Sequence, residues 1–205
     1  VREANRLGMM VDGSHAADST VEDIMEISTT PIVLSHSGVK ALYDHPRNIP
    51  DDLLRRVAEN GGVIQMNALG SYIENLESPA ERTAALEELA ASFEGRSPFD
   101  LSDEEREQYM ARRGEIDSAY PMPLSSFEVF MEQMLYALEI VGPDHVGMGA
   151  DWDGGGGVAG MEDVSFLPKV TERLMEEGYT EADLEKIWGG NLLRIMRQVE
   201  AAKAQ

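Results

Sequence analysis

Four histidines occur in the 205 residues, and two of them stand in matched surroundings. His15, in VDGSHAADST, and His36, in PIVLSHSGVK, each follow a short apolar run that reads as a strand passing into a loop. Neutral imidazole binds zinc well, and zinc hydrolases combine histidine with carboxylate. The pair therefore reads as two ligands of one metal ion. The plainer alternative is two loop histidines satisfied by local hydrogen bonds. Two ligands do not make a tight site, so a third would come from Asp12, from Asp151 or from residues outside this sequence. Asp151, in HVGMGADWDG, ends an apolar stretch. A carboxylate at a strand end can take the proton from a metal-activated water as it attacks. Asp153, one loop residue further, reads as structural. Arg47, in DHPRN, carries a guanidinium whose two-pronged geometry matches a carboxylate. It reads either as the holder of an anionic substrate end or as an ion-pair partner of Asp51 or Asp52. His45 reads as a brace for that turn, and His145 as structural. Serine precedes histidine twice, at Ser14-His15 and Ser35-His36, but neighbours on a strand point in different directions, which argues against a hydrolase dyad. No G-x-S-x-G elbow occurs in the sequence.

The elements that must carry these residues follow from hydrophobic period and turn chemistry. Residues 1–7 read as the end of a helix and 9–12 as a short buried strand. A helix follows at 19–27, with Ser19 and Glu22 at capping-box spacing. A strand is expected at 32–34, a helical turn at 39–43, a helix started by Asn48-Ile49-Pro50-Asp51-Asp52 and ended at Asn60-Gly61-Gly62, and a third strand at 63–67. A long excursion, 69–124, contains two helices begun by Ser78 and Ser102. It reads as a lid or packing subdomain, or equally as a surface embellishment. Phe127, Phe130, Met131, Met134, Leu135, Leu138 and Val141 recur at helical spacing, so 125–141 is a helix with a core-facing stripe. A fourth strand, 146–150, delivers Asp151. The glycines at 154–157 lack the lysine of a phosphate loop and read as a flexible connection. Helices at 166–177 and 181–202 complete the chain. Alternation of this kind predicts an α/β fold with parallel strands and right-handed crossovers. Four strands make a small open sheet or half of an eight-stranded barrel, which typically needs about 250 residues. The opening inside a helix favours the half-barrel and an upstream segment. The expected organisation is one domain, 1–205, with a helical insert at 69–124.

Composition narrows the partners. Net charge is −21, from 17 basic and 38 acidic residues. That argues against nucleic acid or an anionic membrane surface, both of which need basic patches. Cysteine is absent, so disulfides and thiolate metal sites are excluded and any metal is held by His, Asp or Glu. No stretch of 18 apolar residues occurs, so no membrane-spanning segment is expected.

Taken together, LGMMVDGSH, PIVLSHSGVKALYDHPRNIPDDLLRRVAENGGVIQMN, DHVGMGADWDG and GGNLLRIMRQVE resemble the membrane (renal) dipeptidase family of zinc metallopeptidases. The resemblance covers most of the chain and is poorest at 69–124. It implies a distorted (β/α)8 barrel, of which this chain is the C-terminal half, with two bridged zinc ions at its mouth. It implies that His15 and His36 bind one zinc, that Arg47 holds the C-terminal carboxylate of a dipeptide and that Asp151 handles the proton of the bridging water. The implied reaction is attack of a metal-bridging hydroxide on the dipeptide carbonyl. A homodimer, and an exported rather than a cytoplasmic location, follow from family habit alone. Some features depart from the family. Its remaining zinc ligands, a His-x-Asp pair and a bridging glutamate, have no counterpart here, and Gly13 stands where a larger apolar residue is usual. The helix at 125–141 lacks the His and Asp common there in bacterial relatives. Two other readings stay open: a related barrel metallohydrolase acting on another amide, lactam or ester, and an inactive half-barrel that serves as a binding or assembly partner.

Overall fold

The computed structural model describes residues 1–203. Two compact units are distinguished, 1–75 with 125–205 and 76–124.

The first unit is built on a parallel sheet. Its strands are β1 (Val33–Val39), β2 (Asn48–Ile49), β3 (Val63–Met66) and β4 (Val146–Met148), in the spatial order β2-β1-β3-β4. Strand β1 is longer than expected and runs straight through Ser35-His36-Ser37. Its pairing with β3 is irregular there: Leu34 lies opposite Ile64 and Ser37 opposite Met66, so β1 carries one residue more than its partner. Such a bulge breaks the strict in-out alternation and re-aims side chains.

Helices α1 (Arg2–Leu7), α2 (Asp18–Ile27), α3 (Asp51–Glu59), α4 (Gly70–Ile73) and α7 (Phe127–Val141), together with α8 (Leu167–Glu176), α9 (Glu181–Glu185) and α10 (Asn191–Ala201), belong to the same unit as the sheet; α5 (Ala80–Ser92) and α6 (Asp103–Ala119) belong to the second unit. Phe130, Met131 and Met134 of α7 are fully buried with Leu34, Ile64, Met66 and Val146 of the strands and Leu53, Leu54 and Val57 of α3. The methionine and aromatic stripe is thus core. Val33 and Val63 pack separately against Ile195 and Val199 of α10.

Several local expectations are corrected. Residues 9–12 form no strand: the segment touches β1 through one bridge, Asp12 to Val33, and too few ladder bonds follow to extend it. No helical turn forms at 39–43, because Val39 is still strand and the chain then bends back into β2. Helix α2 starts at Asp18 with Ala17 as its cap, so Ser19 does not cap it. Ser126 caps α7, accepting from the Val129 N–H at 3.2 Å. A capping box that sequence reading passed over, Thr180 with Asp183, starts α9, and a π-helical turn at Lys186–Gly190 joins α9 to α10.

The second unit holds α5 (Ala80–Ser92) and α6 (Asp103–Ala119) around a small core of Leu89, Phe93 and Leu101. Buried Arg82 reaches Asp117 at 2.5 Å and the Tyr120 carbonyl at 2.8 Å. Ser102 and Glu105 form a complete capping box, whereas Ser78 makes no cap bond to α5.

Candidate active site

Every parallel strand here points its C-terminal end the same way, and four of the residues singled out by type lie at that end. His15 sits in the turn after residues 11–13, which are stitched to β1 by Gly13 N–H to Val33 O (2.8 Å) and Val33 N–H to Val11 O (3.0 Å). His36 sits on the bulge of β1. Their Nε2 atoms approach to 2.8 Å, with the rings edge-to-face and their centroids 4.8 Å apart. Two nitrogen ligands of a tetrahedral zinc stand about 3.3 Å apart. A small opening of this pair therefore gives two adjacent coordination positions, and imidazole nitrogen is the right donor for zinc. The residues present fit half a metal site: among the described residues, no cluster of three or more His, Asp or Glu side chains gathers around one point.

Asp12 stands behind the histidines. Its carboxylate accepts from Ser14 N–H (2.9 Å), Ser35 N–H (3.1 Å) and the Ser35 hydroxyl (2.5 Å). Of the two carboxylates left open as a third ligand, this one is engaged in holding the loop to the bulge. The Ser35 hydroxyl also lies 2.8 Å from Nδ1 of His36. The expectation that adjacent Ser35 and His36 diverge fails here, because the bulge removes the alternation on which it rests. Sequence reading missed Ser35 for that reason.

Asp151 follows β4 and caps a short 3-10 turn, Trp152–Gly154, through its carbonyl, which accepts from Gly154 N–H (3.0 Å) and Gly156 N–H (2.7 Å). A Cβ at Gly154 would collide with the Asp151 carboxylate, so glycine is required for that carboxylate to lie where it does. Three non-glycine residues have positive φ among those described, and two of them are His15 (69°) and Asp151 (62°). Left-handed backbone is costly for such residues and concentrates at functional sites. Partial desolvation, then the positive charge of Arg47 and the neighbouring His36 ring, hold the His15 pKa below its usual value; Asp151 and Asp12 oppose this. The net effect favours the neutral imidazole that a metal needs.

Arg47 makes no ion pair with Asp51 or Asp52. Its Nη2 donates to the His36 carbonyl at 3.4 Å, while Nε and Nη1 are buried with no partner among the described residues. The guanidinium lies 5.3 Å from the Tyr72 ring centre, and His45 stacks on the same ring at 4.5 Å. His45 Nδ1 accepts from Arg47 N–H at 3.2 Å, so His45 braces the turn as expected. His15, Ser37, Arg47 and Asn48 line one narrow pocket. His145 lies at the other end of the sheet, with Nδ1 2.8 Å from the Gly62 carbonyl. Asp153 is exposed in the turn after Asp151.

Known proteins resemble the chain over almost all of its length. The chain is 30% identical to a dipeptidase, tcpJ, of Claviceps purpurea over 205 residues, which is all of this chain and 38% of that protein. It is 29% identical to dipeptidase 3 of Mus musculus, covering 99% of this chain and 32% of the relative. Among solved structures, the probable dipeptidase PvdM of Pseudomonas aeruginosa superposes with a TM-score of 0.74 at 30% identity, over 98% of this chain and 53% of that one. A metallopeptidase of Rhodobacter sphaeroides, solved with a phosphinate mimic of the dipeptide L-Ala-D-Ala, shares the fold with a TM-score of 0.69 at 24% identity, over 97% of this chain and 44% of that one. The chain thus spans 32–38% of the length of these curated relatives. The model of the membrane dipeptidase family, peptidase family M19, matches residues 1–205 in full, and the chain belongs to that family.

Proposed function

We propose that this chain forms the C-terminal half of a distorted (β/α)8 barrel and contributes one side of the active site of a zinc-dependent dipeptidase. The observation that carries the reading is the convergence of His15 Nε2 and His36 Nε2 to 2.8 Å beside a guanidinium with two buried, unpartnered N–H donors. His15 and His36 would hold one zinc ion, and a second, bridged ion would depend on ligands outside this chain. A bound zinc ion supplies Lewis acidity, which acidifies water and polarises a carbonyl. Arg47 recovers what its unpaired donors lose by taking the C-terminal carboxylate of the dipeptide; an unsatisfied buried donor costs about 1–3 kcal/mol. Asp151 would accept the proton of the attacking water and return it to the departing amine. Homodimerisation and export belong to the same proposal, tested by sedimentation and by cell fractionation.

The test compares a dipeptide with its C-terminally amidated form in the full-length protein. Arg47→Ala should reduce kcat/KM for the free dipeptide at least tenfold more than for the amide. Equal losses on both would exclude Arg47 as the carboxylate holder and favour a related metallohydrolase acting on a neutral amide, lactam or ester. One observation favours a non-catalytic reading, an inactive half that docks on a complementary one: the described residues gather only two metal-ligating side chains. Dipeptide hydrolysis that chelation abolishes and zinc restores excludes it.

A further inference from the structure

The two histidines are held differently, and hydrogen-bond accounting shows how. The Ser35 hydroxyl has one proton and two neighbours: a carboxylate oxygen of Asp12 at 2.5 Å and Nδ1 of His36 at 2.8 Å. An ionised carboxylate only accepts. The serine proton is therefore spent on Asp12, and toward His36 the serine oxygen accepts. The hydrogen on the His36 ring then sits on Nδ1, which leaves the lone pair on Nε2, the atom facing His15. His36 N–H is also fixed, donating to Ser14 Oγ at 3.0 Å. His15 has no such arrangement: its Nδ1 finds no hydrogen-bond partner among the described residues, and its Nε2–H donates to His36.

We infer that Ser35 is a positioning residue, which with Asp12 behind it locks His36 in the Nδ1–H tautomer and presents Nε2 as a ready ligand. The inference rests on the metal-site reading above and extends it to a residue that touches neither metal nor substrate. A plainer role for Asp12, satisfying backbone N–H groups that the bulge leaves out of the ladder, accounts for its bonds to Ser14 and Ser35 N–H. It does not account for the serine hydroxyl bridging to the imidazole. Outer partners of this kind orient ligating histidines and typically contribute about 10–100-fold to metal affinity.

The test uses full-length, metal-free protein labelled with 15N-histidine. Ser35→Ala keeps the backbone bonds of the bulge, so folding should survive, and Ser35→Thr keeps the hydroxyl. Long-range 1H–15N correlation should show His36 protonated at Nδ1 in wild type and in Ser35→Thr, and shifted to the Nε2–H form in Ser35→Ala. Zinc affinity, measured by chelator competition, should fall about 10–100-fold in Ser35→Ala and recover in Ser35→Thr. An unchanged tautomer, or an unchanged affinity, in Ser35→Ala overturns the inference. A wild-type protein that binds no zinc overturns the metal-site reading instead, and the tautomer alone then decides for or against Ser35.

Discussion

The two ends of the sheet treat polar groups in opposite ways. At the N-terminal ends of the strands, side chains are used to close loops. Asn191 is buried and donates to the carbonyls of Pro143 (2.7 Å) and Val146 (2.9 Å). Arg194 donates to Gly61 O and Asp144 O, His145 meets Gly62 O, and Asn60 accepts from Ile32 N–H. At the C-terminal ends, the buried side-chain polar atoms without a partner among the described residues accumulate: two on Arg47 and one each on Asn48, Asp51, Asn67 and Ser125. Asn67 follows β3, Asp51 and Ser125 stand at the starts of α3 and α7, and Arg47 and Asn48 lie where β2 pairs with the C-terminal end of β1. The left-handed residues His15 and Asp151 lie there too. Asp12 also closes a loop at this end, so the difference lies in the unpartnered atoms that accompany such contacts there. Parallel α/β folds bind ligands at this end.

The contrast can be broken at either end. The largest effect on stability is expected at the closed end. Asn191→Ala strands two carbonyls and opens a small void, and should lower the unfolding free energy by about 3 kcal/mol in urea denaturation while leaving zinc affinity unchanged. A smaller effect of opposite sign is expected at the open end. Arg47→Met replaces a guanidinium with two unpartnered donors by an apolar chain, and should leave stability unchanged or raise it by about 1 kcal/mol while selectivity for a free carboxylate disappears. The smallest effect concerns pH. Burial, then the charge of Arg47, lower the His45 pKa. The folded protein thus binds fewer protons at His45 than the unfolded chain does, so stability rises with pH through this window and is lost as pH falls below about 6.5, the unperturbed histidine value. His45→Gln should flatten the slope of unfolding free energy between pH 5 and 7, and in Arg47→Met the His45 pKa should rise.

What could be read in the sequence divides along the same line. Phe130, Met131 and Met134 recur at a helical period, and that local pattern suffices to locate α7 and its buried face. His15, His36 and Asp151 stand out as ligand-type groups just after apolar runs, and Arg47 as a guanidinium in a turn. The bulge at Ser35-His36 is set by register against β3, about thirty residues away, and no local pattern reports it. Without the bulge, alternation sends Ser35 away from His36, which is why the hydroxyl bridge was invisible. Residues 9–12 are apolar enough for a strand yet make one bridge, since strand length depends on the neighbour and not on composition. The two-residue β2 was hidden in Asn48-Ile49, which with the proline and acids after it reads as the start of a helix. Asn191 is hidden for a related reason: its partners, Pro143 and Val146, lie more than forty residues away.

The central claim is that His15 and His36 bind one metal ion together. Zinc titration into metal-free, full-length protein, with wild type, His15→Ala and His36→Ala compared in one experiment, tests it most directly. The account predicts that each substitution removes the same high-affinity zinc, with a loss exceeding the roughly 100-fold of an outer-shell change, and that the double variant loses no more than either single one. Zinc stoichiometry and affinity equal to wild type in His36→Ala would contradict it.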